Sequence, residues 1–324
     1  MSNTNERKTL NDGLNVLSLF DGISCGQVAF ERAGIKVNKY YAFEIETNAI
    51  KITMKNYPDT IQCGDVFDTD FAEFVDKEID IIIGGSPCTF WSKAKCHTAK
   101  QKRELDANGM GWKLFMKYVE ALKVVKPKYF LYENNDGIPE NIINEINNQL
   151  GVEPIMIDAA LVSAQRRKRN YWTNIPNIEQ PEDKGIVFGD IIVEDPSLIK
   201  TDNRIANGLK YFSNYVKYDL SGKGYYSQQD RAYFRDSKAP TVPRCRTDTK
   251  FNLWIGNNTY KKTCPIEIER LQTLPDNYTD CVAKTRRYEA IGNGWCVDVI
   301  AHIFKYLKTD LDKNKTEVVA NTFE

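Results

Sequence analysis

The stretch Asn15-Val16-Leu17-Ser18-Leu19-Phe20-Asp21-Gly22-Ile23-Ser24-Cys25-Gly26 decides the fold. Its first six residues form a strand-sized apolar run that ends in a glycine-bearing turn. Residues 27–33 then read as a helix stopped by Gly34. Such a turn lets the backbone approach a nucleotide-like ligand, and the helix N-terminus offers free N–H groups. Taken alone, it is equally a generic strand-to-helix connection.

Working outward, strand-like segments recur at residues 40–43, 61–63, 79–83, 129–132, 155–157 and 171–173. Residues 47–57 read as a helix halted by Pro58. Leu114, Phe115, Tyr118, Val119, Leu122 and Val125 fall at helical spacing, so one face of that segment packs inward. This alternation predicts an α/β fold with a mostly parallel sheet covered on both faces. From Pro176 the pattern gives way to turn residues, tyrosines and arginines, which predicts a smaller irregular or β-rich module over 176–260. Order returns with Cys296, Val299, Ile300, Ile303, Phe304 and Leu307, an amphipathic helix. The expected layout is a main domain of 15–175 plus 261–307, with flexible ends at 1–14 and 308–324.

Composition narrows the function classes. The 324 residues carry 44 basic and 44 acidic side chains, so any basic surface must be local. No apolar run approaches the roughly 20 residues that span a bilayer. The polar opening MSNTNERKTLNDG has no apolar core of a signal peptide, which points to a cytoplasmic protein with no membrane partner. Eight scattered cysteines form no CxxC pair and read as reduced thiols, most of them small buried hydrophobes. Cys88, Cys96 and His97 lack zinc-ligand spacing, and no metal is expected.

The chemistry-bearing residues fall at the ends of the strands. Glu44 sits about 20 residues past the first turn, where an acidic side chain usually holds ribose hydroxyls. The glycines are Gly22 and Gly26, not GxGxxG, which disfavours a dinucleotide and removes the nicotinamide oxidoreductase reading. Ser86-Pro87-Cys88 places a thiol just past a buried strand, ahead of a long, polar, basic and glycine-punctuated loop. A buried structural cysteine is the bland alternative; the mobile basic loop favours a nucleophile meeting an anionic substrate. Glu133 ends another strand, either as a solvated terminus or as a general acid facing the same crevice. The cluster Gln165-Arg166-Arg167-Lys168-Arg169 would by itself be a solvated basic face.

In order, FDGISCG, Glu44, Gly64-Asp65, Ser86-Pro87-Cys88, Glu133-Asn134, Gln165-Arg166-Arg167-Lys168-Arg169, Arg270-Leu271-Gln272 and Gly292-Asn293 resemble the DNA cytosine-5 methyltransferases. The likeness runs from Asn15 to Leu307. LSLFDGISCG and SPC are similar to the branch that contains the animal de novo enzymes, in a stand-alone bacterial or phage form. The resemblance implies a class I, Rossmann-like fold dependent on S-adenosylmethionine, with the 176–260 module inserted as a target-recognition domain. It implies that Phe20, Gly22, Ile23, Ser24 and Gly26 line the methionine part of the cofactor. Glu44 would bind the ribose, Ile45 the adenine face and Asp65 the adenine amino group beside Val66. Pro87 and the stretch Asn293 to Trp295 would close the pocket.

The resemblance also implies the catalytic roles. Cys88 would add to cytosine carbon 6, Glu133 would assist at ring nitrogen 3, and Arg169 and Arg167 would hold the base carbonyl. A base inside a stacked duplex cannot be reached, so double-stranded DNA would surrender a flipped cytosine. Ser92, Lys93, Lys95, Lys100 and Arg103 would meet phosphates, and Gln228, Gln229, Arg231, Arg235, Arg244 and Arg246 are candidates for sequence reading. RLQTLP reads as scaffold. A monomer is compatible with the sequence. Asn135, Phe90-Trp91 and Gly294-Trp295-Cys296 depart from the usual family pattern, and all touch the base or cofactor pocket. The rival readings are a tRNA cytosine-5 methyltransferase and a non-catalytic DNA-binding regulator; the inserted module argues against the first, and retention of Cys88, Glu133 and Arg169 against the second.

Overall fold

The structure is a computed structural model that describes residues 13–92, 103–201, 210–217, 231–244 and 252–320. A seven-stranded sheet forms its centre, built from β1 (Leu14–Leu19), β2 (Val37–Phe43), β3 (Ile61–Gly64), β4 (Ile81–Gly84), β5 (Tyr129–Asn135), β6 (Ile155–Asp158) and β7 (Lys168–Thr173). The strand order is β3-β2-β1-β4-β5-β7-β6. Strands β1 to β5 run parallel, and β7 runs antiparallel to both β5 and β6. The order reverses between β1 and β4, and open α/β sheets bind ligands beyond the strand ends at that point.

Period-two patterning explains the layering. On one face, Val16, Ala42, Ile81, Ile83 and Leu131 pack in a core with α1 (Cys25–Ala33) and α7 (Val297–Ala320). Their neighbours Leu17, Leu19, Phe43, Ile82 and Tyr132 point to the other face, into a second core with α3 (Met110–Val125) and α4 (Glu140–Leu150). α2 (Thr47–Asn56) contributes Ala49 and Ile52 to the first core. α7 returns the end of the chain onto α1, where Phe30 and Phe304 stack with ring centroids 4.1 Å apart.

α7 runs past Leu307, where a flexible tail was expected to begin. It continues to Ala320, and just past Leu307 it is anchored by the buried Leu311 and by Asp310, which accepts from the Tyr129 hydroxyl at 2.5 Å. At the other end, Leu14 already belongs to β1, with its N–H on the Lys36 carbonyl at 2.9 Å.

A second, six-stranded sheet has the order β8-β13-β12-β11-β10-β9. Its strands are β8 (Ile199–Thr201), β9 (Lys210–Tyr211), β10 (Tyr215–Lys217), β11 (Arg231–Tyr233), β12 (Asn252–Gly256) and β13 (Thr259–Lys262). Residues before it, including Phe188 and Ile191, are buried in the large core, so this sheet starts later than the change in pattern at Pro176. α5 (Pro265–Leu271) and α6 (Lys284–Asn293) lead back to the first sheet. Among the described residues no helix is long and apolar enough to cross a membrane.

Candidate active site

The β1–α1 turn is held open by backbone geometry and a buried carboxylate. Phe20 and Ser24 take left-handed φ angles of 59° and 55°, a strained arrangement concentrated at one turn. Gly22 has φ 62°, and a Cβ there would project into open space, so only glycine keeps this approach clear and unstrained. Asp21 accepts from Ser18 and Tyr40 at 2.7 Å each, and from Ser24. Burial raises the Asp21 carboxyl above its ordinary value, against these lowering hydrogen bonds. The Tyr278 hydroxyl ties down the Ile23 carbonyl at 2.7 Å.

Glu44 follows β2 and faces this turn. Its carboxylate accepts from the N–H of Gly22 at 2.8 Å, of Ile45 at 2.8 Å and of Glu46 at 2.7 Å. Burial raises its pKa, opposed by those three donors. Asp65 follows β3 and accepts from the Phe67 N–H at 2.9 Å. Val66 is buried, whereas Ile45 and Phe67 are exposed apolar side chains at 69% and 44%. An acidic pair between exposed apolar side chains, beside an open glycine turn, fits an adenosyl group: acceptors for ribose hydroxyls and an amino group, with apolar surface for a ring. Phe67 escaped the sequence reading; its signal was its position two residues after Asp65.

Across the switch point, β4 delivers Ser86, Pro87 and Cys88. Ser86 is buried and bonds the Tyr132 hydroxyl at 2.6 Å, while Asn134 donates to the Ser86 carbonyl at 3.1 Å. Cys88 opens the short 3₁₀ turn Cys88–Phe90, is partly exposed, and its carbonyl accepts from Ser92 N–H at 3.0 Å and from the Asn135 amide at 3.5 Å. Asn135 also accepts from Gly137 N–H at 2.8 Å, so this departure from the family pattern laces the thiol's turn to the loop after β5. Burial pushes the Cys25 thiol up to about 12 and the Cys296 thiol up to about 11, which makes both inert at neutral pH.

Glu133 lies within β5 because β7 pairs alongside it. Glu133 is opposite Tyr171 and Asn135 opposite Arg169, which sets Glu133 and Arg169 diagonally on one face. Arg169 Nε reaches Glu133 Oε1 at 3.0 Å, and Trp295 Nε1 donates to Oε2 at 2.9 Å. Arg167 also lies within electrostatic reach of Glu133 and Cys88, but its hydrogen bonds go elsewhere: to the carbonyls of Val242 and Gly294 at 3.0 Å each, and of Gly292 at 3.5 Å. Burial, then the positive charge of Arg169, lowers its proton affinity. The expected base-contacting Arg167 is therefore a brace across three chain segments. Gln272 of RLQTLP does similar work, donating to Ile291 and Gly294 carbonyls at 2.9 Å each.

The expected DNA contacts are more dispersed. Ser92 sits one turn from Cys88. Arg103 is turned inward, onto the Trp91 carbonyl at 2.9 Å and the Gly137 carbonyl. Arg231 stacks 4.8 Å over the Tyr215 ring, Arg235 pairs with Glu194 at 2.5 Å, and Arg244 pairs with Glu289 at 3.0 Å. Lys93, Lys95, Lys100, Gln228, Gln229 and Arg246 lie outside the described residues. Pro87 and Asn293 are exposed at the crevice, and Gly26 packs under Ile83 and Tyr40. A surface cleft of about 530 Å³ bordered by Asn15, Lys36 and Lys77 lies at the opposite strand ends and shares no residue with this site.

A parallel sheet reversing between β1 and β4, with acidic side chains after β2 and β3 and a thiol after β4, defines a class I methyltransferase. The C-5 cytosine-specific DNA methylase family matches residues 14–180 and 163–309, and the chain belongs to that family. It is a cytosine-5 methyltransferase. The chain is 25% identical over 316 residues to the type II methyltransferase M.NlaX of Neisseria lactamica, covering 91% of this chain and 96% of that one. It is 26% identical over 350 residues to the type II methyltransferase M.NgoPII of Neisseria gonorrhoeae, covering 95% and 99%. Over half its length, 177 residues, it is 31% identical to the orphan methyltransferase M.SPRI of Bacillus phage SPR, which it covers to 38%. The fold is shared with Dnmt2 of S. pombe, with a TM-score of 0.68 at 18% identity over 92% of this chain and 99% of that one.

Proposed function

We propose that this protein methylates carbon 5 of cytosine in double-stranded DNA, using S-adenosylmethionine, in the cytoplasm of a bacterium or of a phage-infected host. The observation that carries this reading is the pairing of two strand ends. Cys88 and the Arg169-anchored Glu133 share one edge, beside the Glu44 and Asp65 edge that fits an adenosyl group. When bound, the cofactor supplies an electrophilic methyl group. Glu44 holds its ribose hydroxyls and Asp65 its amino group, with Ile45, Val66 and Phe67 against the ring. Phe20, Gly22, Ile23, Ser24 and Gly26 shape the methionine end, and Pro87, Asn293 and Trp295 border the pocket.

Carbon 5 of cytosine is too electron-poor to attack a methyl group unaided. The Cys88 thiolate adds to carbon 6, and Glu133 holds a proton at ring nitrogen 3 so that the ring becomes an enamine. Arg169 fixes the Glu133 carboxylate and faces the base carbonyl with its remaining donors. After transfer, a base such as a bound water takes the carbon 5 proton, the carbon 5–carbon 6 double bond re-forms, and the carbon 6–sulfur bond breaks to release Cys88 as a thiolate. The base must leave the helix to reach this crevice, at a cost of a few kcal/mol. The second sheet, with the arginines of β11 and the segments beside it, serves as the target-recognition domain.

The family's description as C-5 cytosine-specific DNA methylases, together with the bacterial and phage source of the similar proteins, supports DNA over tRNA. Purified protein and S-adenosylmethionine incubated with unmodified genomic DNA or with bulk tRNA, followed by nucleoside mass spectrometry, tests this. A gain of 5-methylcytosine in DNA alone is the expected result. A gain in tRNA alone would transfer the same chemistry to the rival substrate and overturn the DNA reading.

A further inference from the structure

We propose that Trp295 is a positioning residue for Glu133, an inference that rests on the catalytic reading above. The indole stands on a braced link between α6 and α7. Gly294, just before it, gives its carbonyl to Arg167 at 3.0 Å and to Gln272 at 2.9 Å, and Val297 N–H just after it reaches the Gln272 carbonyl at 2.9 Å. The backbone of Trp295 also meets the Cys25 thiol of the first turn. The backbone that carries the indole is therefore fixed on both sides.

From that root the indole N–H reaches Glu133 Oε2 at 2.9 Å, across 162 residues of sequence. Arg169 Nε takes the other oxygen at 3.0 Å. The carboxylate's last torsion is broad and roughly two-fold, so one donor leaves it free to rotate and two donors on different oxygens fix its plane. A carboxylate has about four acceptor sites, so the two laterally held oxygens retain lone pairs for the base. Gly85 allows this packing: a Cβ there would lie 3.0 Å from Glu133 Oε2 and 3.4 Å from the indole nitrogen. The donor is neutral, so it orients the carboxylate without adding a second cation beside it. Trp295 thereby acts through Glu133, while its ring edge, 3.8 Å from a Cβ built on Gly26, flanks the cofactor turn.

The test is steady-state and single-turnover methylation of DNA by Trp295→Phe, and by protein carrying β-(3-benzothienyl)alanine at position 295. The second replacement keeps the ring size and removes only the N–H, so it answers the question if the phenylalanine variant fails to fold. The expected result is a fall in kcat of about tenfold to a hundredfold, the effect of a hydrogen bond to a charged group, with KM for cofactor and DNA within about threefold of wild type. In a Glu133→Ala background the same replacement changes the residual single-turnover rate by less than about twofold. Wild-type kcat in the benzothienyl protein overturns the inference. So does a fall in kcat matched by an equal rise in cofactor KM, the mark of pocket lining alone, or an undiminished effect without Glu133. Wild-type protein that forms no 5-methylcytosine in the same assay overturns the underlying function instead.

Discussion

Glu44 and Glu133 stand at the same edge of one sheet, on opposite sides of the β1–β4 switch point, and are held by different means. Glu44 rests on backbone N–H groups no more than 22 residues away. Glu133 rests on two side chains, one on the antiparallel neighbour β7 and one 162 residues away. Backbone donors survive almost any substitution of the residues that carry them. Side-chain donors do not. The hold on Glu44 is therefore robust and local, whereas the hold on Glu133 depends on the chain's last third folding back onto it.

The largest expected effect lies on the base half. Cys88→Ala should lower turnover to below about one ten-thousandth, since removing a nucleophile abolishes the covalent route. DNA binding should persist, as measured by mobility shift with cofactor present. Full activity in this variant would sink the nucleophile assignment. Next, Glu133→Gln should reduce the single-turnover rate by about 10² to 10⁴, the range for general acid–base groups, without weakening cofactor binding measured by calorimetry. If cofactor affinity fell in step, the two halves would not be separable in this way.

Glu44→Gln should do the reverse. Losing charge-assisted contacts to the ribose raises the cofactor Kd about tenfold to a hundredfold and leaves kcat at saturation nearly unchanged. Asn135→Val probes the lacing between the halves of the base site. It strands the buried Gly137 N–H at a cost of about 1–3 kcal/mol, read by thermal unfolding as a Tm lower by several degrees. An unchanged Tm would show that this lacing carries no stability.

The smallest effect is expected far from both halves. The hydrogen bond from Arg270 holds the Asp276 carboxyl below its ordinary value. A depressed carboxyl contributes stability above its unfolded pKa of about 3.9, and that contribution fades as pH falls through the lower folded value. The pair is partly exposed, so Asp276→Asn should cost no more than about 1 kcal/mol at pH 7 and should flatten that part of the acid limb in urea unfolding. A loss that persists unchanged at pH 2 would mean the residue acts through packing rather than charge.

The contrast between the two carboxylates also explains what the sequence disclosed. β1, the first turn, Glu44 and Asp65 are local devices, and their apolar runs and turn residues announce them. The strand series was legible for the same reason, but not the antiparallel direction of β7, which depends on pairing with β5. α4 passed unread because its asparagine-rich surface hides two buried positions, Ile142 and Ile146, one turn apart. Arg167 looked like a base-binding cation because nothing local reveals the carbonyls of Val242 and Gly294 converging on it. Trp295 was legible as a departure near the pocket; its hold on Glu133 exists only after α7 closes on α1. The anchoring of α7 past Leu307, through Asp310 and the buried Leu311, was not legible because Asp310 bonds Tyr129, 181 residues away.

The most direct test of the account is an intact-mass measurement of the protein mixed with duplex DNA that carries 5-fluorocytosine at its target, in the presence of S-adenosylmethionine. Fluorine at carbon 5 cannot leave as a proton does, so the adduct formed by Cys88 persists. A single new species with the mass of protein, methyl group and DNA, absent from Cys88→Ala, is the predicted result. Only free protein, from a preparation that methylates the ordinary duplex, would contradict covalent attack by Cys88.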